Sequence, residues 1–249
     1  MKRILLLLLL SYASVHSQQL GIIDSTANIS KRGYNYKQLV IPALLIGYGV
    51  IGLESDQLKD FNAGIREEVV EDIDRKFTID DFSQFAPALS VYALNLSGVE
   101  GSHSFQDRSV IIATSYLVLS ATVLGLKSIT KVERPDGSSR NSFPSGHTAT
   151  AFAGAEFLYQ EYKSKSVWYG IAGYAVATGT GIFRLVNNRH WLTDVAAGAG
   201  IGILCTKFAY LVNPYLTKKI FGTRNPKTGS VIVPFYDKRQ TGILVIWQI

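Results

Sequence analysis

Apolar residues gather in six long runs: Leu39–Leu53, Ala86–Ser97, Ser109–Leu126, Thr148–Tyr159, Val167–Phe183 and Val195–Val212. Each is too long, or too rich in Ala and Gly, to be a strand. The pattern therefore predicts an all-α fold, a bundle of about six core helices. Between the first two runs lies Glu54–Phe82, which is rich in acids. There Leu58, Phe61, Ile65, Val69 and Ile73 recur at three- or four-residue spacing, which predicts an amphipathic helix on the domain surface. A lid over a site is the alternative role for it. Past Asn213-Pro214 the pattern changes. Lys218, Lys219, Arg224 and Lys227 lead into two β-rich runs, Val231–Tyr236 and Ile243–Trp247, around a polar connection with Gly242. This predicts a short hairpin, which has to pack on the helical body or on a partner.

Three of the runs reach or approach the length needed to cross a bilayer. Ser109–Leu126 reaches it cleanly; Leu39–Leu53 and Val167–Phe183 come close. Two others carry a charge, Glu156 and Lys207. A charge in hydrocarbon has to face the bundle interior or snorkel to the interface, so Glu156 is expected to point inward and Lys207 to snorkel. A membrane-embedded bundle is the expected architecture, and a compact soluble bundle with buried apolar helices competes with it. The start of the chain reads Met1-Lys2-Arg3, an apolar run Ile4–Leu10, then small residues at Val15 and Ser17. That is the pattern of a secretory signal peptide cleaved after Ser17. The expected organisation is a leader over 1–17, a helical domain over 18–212 with its motif core in 85–212, and a basic tail over 213–249. Export implies the cell envelope, with the site facing the periplasm. If all six runs cross and the leader is removed, however, the site falls on the cytoplasmic side. A soluble periplasmic domain would remove that conflict.

Composition narrows the partners. Of 249 residues, 47% are hydrophobic and the formal net charge is +6. A basic balance favours anionic partners. No basic stripe interleaved with aromatics occurs, so a nucleic acid is not expected, and a phosphate or lipid is. Cys205 is the single cysteine. Disulfide scaffolds and thiolate metal sites are thereby excluded.

Three short stretches carry the candidate chemistry: Lys127 to Arg134-Pro135, Pro144-Ser145-Gly146-His147, and Arg184 to His190 and Asp194. Arg134 and Arg184 offer planar forks matched to phosphate oxygens, and Lys127 a point charge. Ser145 suits the N-cap of the helix that follows it, where free N–H groups and the dipole favour an anion. Gly146 would let the backbone approach closely. His190 precedes Asp194 by four residues, so the carboxylate can hold one ring nitrogen and leave the other to attack phosphorus. His147 could then protonate the leaving oxygen. Separately each residue has a plainer reading. Asp194 could simply cap a helix, and Arg134-Pro135 could merely end one. A lone histidine is more often structural, which is the reading taken for His16 and His103. The plain readings do not explain why all of these groups flank helix ends.

Spaced in this way, the three stretches resemble the motifs of the type 2 phosphatidic acid phosphatase superfamily. That group includes bacterial class A acid phosphatases and vanadium haloperoxidases. The resemblance covers residues 85–212 and implies a helical bundle, a phosphohistidine intermediate and no metal or other cofactor. By position His190 resembles the nucleophile, Asp194 its orienting partner and His147 the general acid. Lys127, Arg134, Ser145, Gly146 and Arg184 resemble the phosphate-binding set. Phe183 departs from the pattern, since the family often has Ser before the Arg. The expectation is a metal-independent phosphatase acting on a lipid-borne phosphate monoester or pyrophosphate. A soluble nonspecific acid phosphatase is the rival, then a vanadate-dependent haloperoxidase, and last a binding protein with a relict site.

Overall fold

The computed structural model describes residues 36–70, 78–222, 230–237 and 240–247, the last two as backbone strands. The leader, Ile73, Arg224 and Lys227 lie outside the described residues. A 3₁₀ turn at Tyr36–Leu39 leads into α1 (Val40–Glu54), followed by α2 (Asp56–Val70), α3 (Ile79–Ser83) and α4 (Ala86–Leu96). Then come α5 (Phe105–Thr130), α6 (Gly146–Tyr162), α7 (Val167–Val186) and α8 (Leu192–Phe221). The tail forms β1 (Ser230–Asp237) and β2 (Gln240–Trp247), paired antiparallel with Val233 opposite Leu244. All six expected core helices are present, and so is the hairpin. Helix α8 runs past Val212 to Phe221 with Pro214 inside it.

Local chemistry sets the helix ends. Ser104 accepts from the Asp107 backbone N–H and starts α5, and Lys131 in the left-handed region (φ 47°) ends it. Ser166 caps α7 in the same way. Asp194 in the first turn of α8 accepts from the Trp191 N–H at 2.9 Å. Each such cap satisfies a donor that the first turn would otherwise leave open.

Packing centres on α6 and α8, which run parallel in close contact. Small residues let the backbones meet. A Cβ on Gly198 would lie 2.5 Å from the Ser145 carbonyl oxygen, and one on Gly202 would overlap the Ala149 carbonyl. One turn further on, the Thr206 hydroxyl donates to the Ala153 carbonyl at 3.1 Å and meets Ser115 of α5 at 2.7 Å. Helix α1 runs antiparallel to α8, with Gly52 against Thr193 and Gly49 against Ala197. Helix α7 runs antiparallel to α6, with Gly181 against Thr148 and Gly173 against Ala155. The consequence is that α1, α5 and α7 end where α6 and α8 begin.

Among the described residues three helices are long and apolar enough to cross a membrane: α1 with its leading turn, α5 and α8. Helix α8 takes the place expected of the Val167–Phe183 run. Ile41 and Leu44 of α1, and Leu117, Leu124 and Ile129 of α5, are exposed on the outside of the bundle. Glu156 points inward as expected, but Lys207 does not snorkel. Its Nζ donates to Glu156 Oε1 at 2.7 Å, with both side chains buried. Gln160 and Tyr174 donate to the same carboxylate. The pair satisfies inside the bundle what neither helix could present to lipid.

The amphipathic segment differs in detail. Helix α2 is largely exposed, yet Phe61 of its apolar stripe faces outward. Its buried anchor is instead polar: Asn62 Nδ2 donates to Thr193 Oγ1 at 2.9 Å. Arg66 Nε donates to Asn188 Oδ1 at 2.8 Å. Both bonds tie α2 to the segment that opens α8.

Removing one partner of a buried ion pair leaves an uncompensated charge and costs about 3–5 kcal/mol, whereas replacing both is close to neutral. Lys207→Met should therefore lower the melting temperature of the detergent-solubilised protein markedly. The double variant Glu156→Gln/Lys207→Met should recover most of the loss. Equal melting of Lys207→Met and the parent protein would show that the pair carries no stability.

Candidate active site

Because the bundle brings two helix starts and three helix ends to one side, the three sequence stretches meet there. A cavity of about 360 Å³ opens at this end, lined by Asp80, Asp81, Arg134, His147, Arg184 and Arg189 among others. Three of the eight candidate residues, Arg134, His147 and Arg184, form its walls. The other five do not line it. A second, mostly apolar cavity of about 310 Å³ lies between α1, α2 and the start of α8, and of the candidates only Asp194 borders it.

His190 is buried at 3% exposure. Its Nδ1 lies 3.5 Å from Asp194 Oδ2, too far for a good hydrogen bond. Ser142 stands between them. Its hydroxyl donates to Asp194 Oδ2 at 2.5 Å and lies 3.4 Å from His190 Nδ1. The same Asp194 oxygen accepts the Trp191 N–H. Capping the helix and facing the histidine, separate readings at the level of sequence, are thus combined in one carboxylate. Burial pushes the His190 imidazole down to about 4, and the nearby Lys127 and Arg184 charges act in the same direction, against the pull of Asp194. The ring is therefore neutral near neutral pH, the state in which a nitrogen lone pair is available.

Ser145 does occupy the N-cap of α6, but its hydroxyl bonds Thr148 Oγ1 at 2.9 Å rather than a backbone N–H. Its own N–H donates to the Asp194 carbonyl at 3.0 Å, stapling the starts of α6 and α8 together. Gly146 is not forced by crowding, since a Cβ there would meet only a Val123 methyl at 3.7 Å. Arg134-Pro135 does not end α5, which stops earlier; it opens a loop in which Arg134 Nε donates to Asn141 Oδ1 at 2.8 Å. Lys127 Nζ donates to the Asn141 and Ser142 carbonyls. Burial lowers the Arg134 guanidinium somewhat, helped by the cations Arg184 and Arg189.

Several contributors went unread in the sequence. Asp80 and Asp81, on the short helix α3, belong to the acidic stretch that reads as surface. Asp80 takes an ion pair from Arg184 and accepts from Asn187 Nδ2 at 3.2 Å. Asp81 Oδ1 lies 2.9 Å from His147 Nε2. Arg189 pairs with Asp136 at 3.0 Å. Donor atoms of Asp80, Asp81 and His147 lie within 4.8 Å of one another, close enough to hold a cation. Each of the three already has a protein partner of the opposite sign or a hydrogen-bond mate.

The model of the PAP2 superfamily matches residues 126–218, a span containing all three stretches. Among curated proteins, the chain is 42% identical over 157 residues to a lipid A 1-phosphatase of Porphyromonas gingivalis. That match covers 58% of this chain and 35% of the relative. A probable lipid phosphate phosphatase 4 of Arabidopsis thaliana is 37% identical over 81 residues, 28% of this chain and 26% of that one. The chain thus spans about a third or less of the length of these relatives. The crystal structure of a transmembrane PAP2-type phosphatidylglycerolphosphate phosphatase from Bacillus subtilis superposes with a TM-score of 0.53 at 20% identity. It covers 73% of this chain and 98% of that one, and the likeness shows a shared PAP2 fold. With three helices of spanning length and apolar exteriors, this is a membrane protein.

The low His190 value has a sign that can be tested. An unfolded histidine binds a proton near pH 6.5. The folded one refuses it until about pH 4. Stability from this group is complete above the unfolded value and is lost as pH falls from there through the folded one. Histidine NMR should show the His190 ring neutral well below the titration of an exposed imidazole, and Asp194→Asn should depress its midpoint further. A midpoint near 6.5 would contradict the burial.

Proposed function

We propose that the protein is a metal-independent phosphatase of the cell envelope that hydrolyses lipid phosphate monoesters or pyrophosphates through a phosphohistidine on His190. The observation that carries this reading is the meeting of Arg134, Arg184 and His147 in one cavity, with Lys127 and a neutral, oriented His190 behind it. The names of the relatives point the same way. A soluble acid phosphatase is disfavoured by the apolar exterior of α1 and α5.

In the proposed reaction Lys127, Arg134 and Arg184 bind the phosphoryl oxygens, aided by the free N–H groups at the start of α6. The Nε2 lone pair of His190 attacks phosphorus while Nδ1 keeps its hydrogen toward Ser142 and Asp194. The bond from phosphorus to the leaving oxygen breaks, and His147 gives that oxygen its proton. Water then attacks the phosphohistidine, His147 takes a proton from it, and inorganic phosphate leaves. No step needs a metal.

Turnover by the detergent-solubilised protein should survive EDTA and be blocked by orthovanadate. His190→Ala should abolish both phosphate release and the acid-labile phosphoenzyme, and His147→Ala should cost about 10²–10⁴-fold, most with poor leaving groups. Loss of turnover on chelation, regained with a divalent ion, would overturn the metal-free route. A phosphoenzyme that persists in His190→Ala would overturn the role of His190.

We further propose that the site faces the periplasm. The cavity lies at the end of the bundle reached by the C-terminus of α1, so residue 36 would then stand on the cytoplasmic side. A leader removed after Ser17 together with six crossings would require the reverse. A cysteine at Ser139, in the loop beside the cavity, should react with an impermeant reagent in cells whose outer barrier has been opened. The native Cys205 is buried and should stay silent. Protection of the Ser139 position until the inner membrane is breached would place the site in the cytoplasm.

A further inference from the structure

The walls of the cavity carry an unusual balance of charge. Four cations stand at or near the phosphate position, but two of them are already matched. Arg184 pairs with Asp80, and Arg189 with Asp136. Arg134 and Lys127 are held instead by uncharged partners, the Asn141 side-chain amide and the carbonyls of Asn141 and Ser142. Of these four, the two without a hydrogen-bonded carboxylate, Lys127 and Arg134, match the charges of one phosphate monoester dianion. Among the described residues no further unpaired cation lines the cavity to receive a second phosphate.

A carboxylate in the lining provides against one. Asp81 Oδ1 lies 2.9 Å from His147 Nε2, and its side chain is 55% exposed at the mouth of the cavity. If His147 protonates the leaving oxygen, the atoms attached to that oxygen must pass beside Asp81. A phosphate there would set negative charge against a carboxylate. A hydroxyl or amide N–H there would donate a hydrogen bond to it. Specificity is a difference of affinities, and a repulsive group against the wrong ligand serves it as well as a contact to the right one.

We propose that Asp81 determines leaving-group specificity, selecting monoesters whose leaving alcohol carries hydroxyl or amide donors and rejecting pyrophosphates. This rests on the phosphatase reading above and narrows it to monoesters whose leaving alcohol carries a hydrogen-bond donor near the scissile oxygen. Asp81 acts on the leaving group directly, and its contact with His147 keeps it in place to do so.

Binding must be separated from proton transfer, because a pyrophosphate leaves easily and depends less on His147. The test therefore uses non-reacting probes. Calorimetric titration of the detergent-solubilised protein with inorganic phosphate and with methylenebisphosphonate reports binding whether or not turnover occurs. Asp81→Asn should tighten methylenebisphosphonate about tenfold, close to 1.4 kcal/mol, while leaving inorganic phosphate unchanged. Asp81→Glu, which keeps the charge, should retain the discrimination, and melting curves confirm that each variant is folded. Because Asp81 is half exposed, the effect should shrink when salt rises well above about 0.15 M. On substrates, the parent enzyme should favour a sugar or glycerol phosphate over a lipid pyrophosphate, and Asp81→Asn should narrow that ratio. Equal shifts for both probes, or none, would overturn the proposal. Failure to release phosphate from any substrate would sink the phosphatase reading and leave the binding result to stand alone.

Discussion

The close parallel contact of α6 and α8 is the constraint on which the rest of the structure depends. Two helices that run the same way present both N-termini at one end. Free N–H groups and the positive ends of both dipoles then meet where an anion would sit. A parallel pair cannot be joined by a tight turn, so α7 must carry the chain back between them. That return delivers Arg184 to the same end, just before His190. Gly198 and Gly202 set how near the pair can come, and the Ser145 N–H to the Asp194 carbonyl fixes how the two starts are aligned. Loosening either would move His147 relative to His190 before it disturbed any contact with a ligand.

Around that pair the polar groups are arranged in layers. Arg134, His147 and Arg184 meet the cavity. Ser142 and Asp194 are buried and do not line it, and the exposed Asn141 holds Arg134 from the side. Ser142 matters most in this second layer. It fills the gap left by a 3.5 Å separation between histidine and carboxylate, so the alignment of His190 rests on a hydroxyl as well as on an acid.

How far the sequence was legible follows from distance along the chain. The six core helices were readable because their apolar runs are long and continuous. The cations and histidines were readable because each stretch sits beside a helix end, where one turn fixes which way a side chain faces. The partners were not. Asp81 meets His147 from 66 residues away, and Asp80 meets Arg184 from 104. In an acidic stretch with helical spacing, nothing local separates two carboxylates that enter a cavity from others that face water. Asn62 went unread for the same reason, because an apolar stripe predicts which residues seek burial and not which polar one finds a partner. Lys207 was misjudged by a rule applied to one helix at a time. A lysine near a helix end snorkels when it stands alone, but here α6 supplies an acid at the matching level.

The Glu156–Lys207 pair also imposes an order on biogenesis. Helix α6 leaves the ribosome before α8, carrying its acid with no cation to meet it. A lone charge in hydrocarbon costs about 2.5–3.5 kcal/mol at a helix centre, so α6 is a poor guest of the bilayer until its mate arrives. Tyr174 of α7 offers the carboxylate a hydrogen bond in the interval, but no neutralising charge. The acid of α6 is therefore neutralised only once α8 has packed beside it, so the pairing that frames the cavity is completed late in the chain.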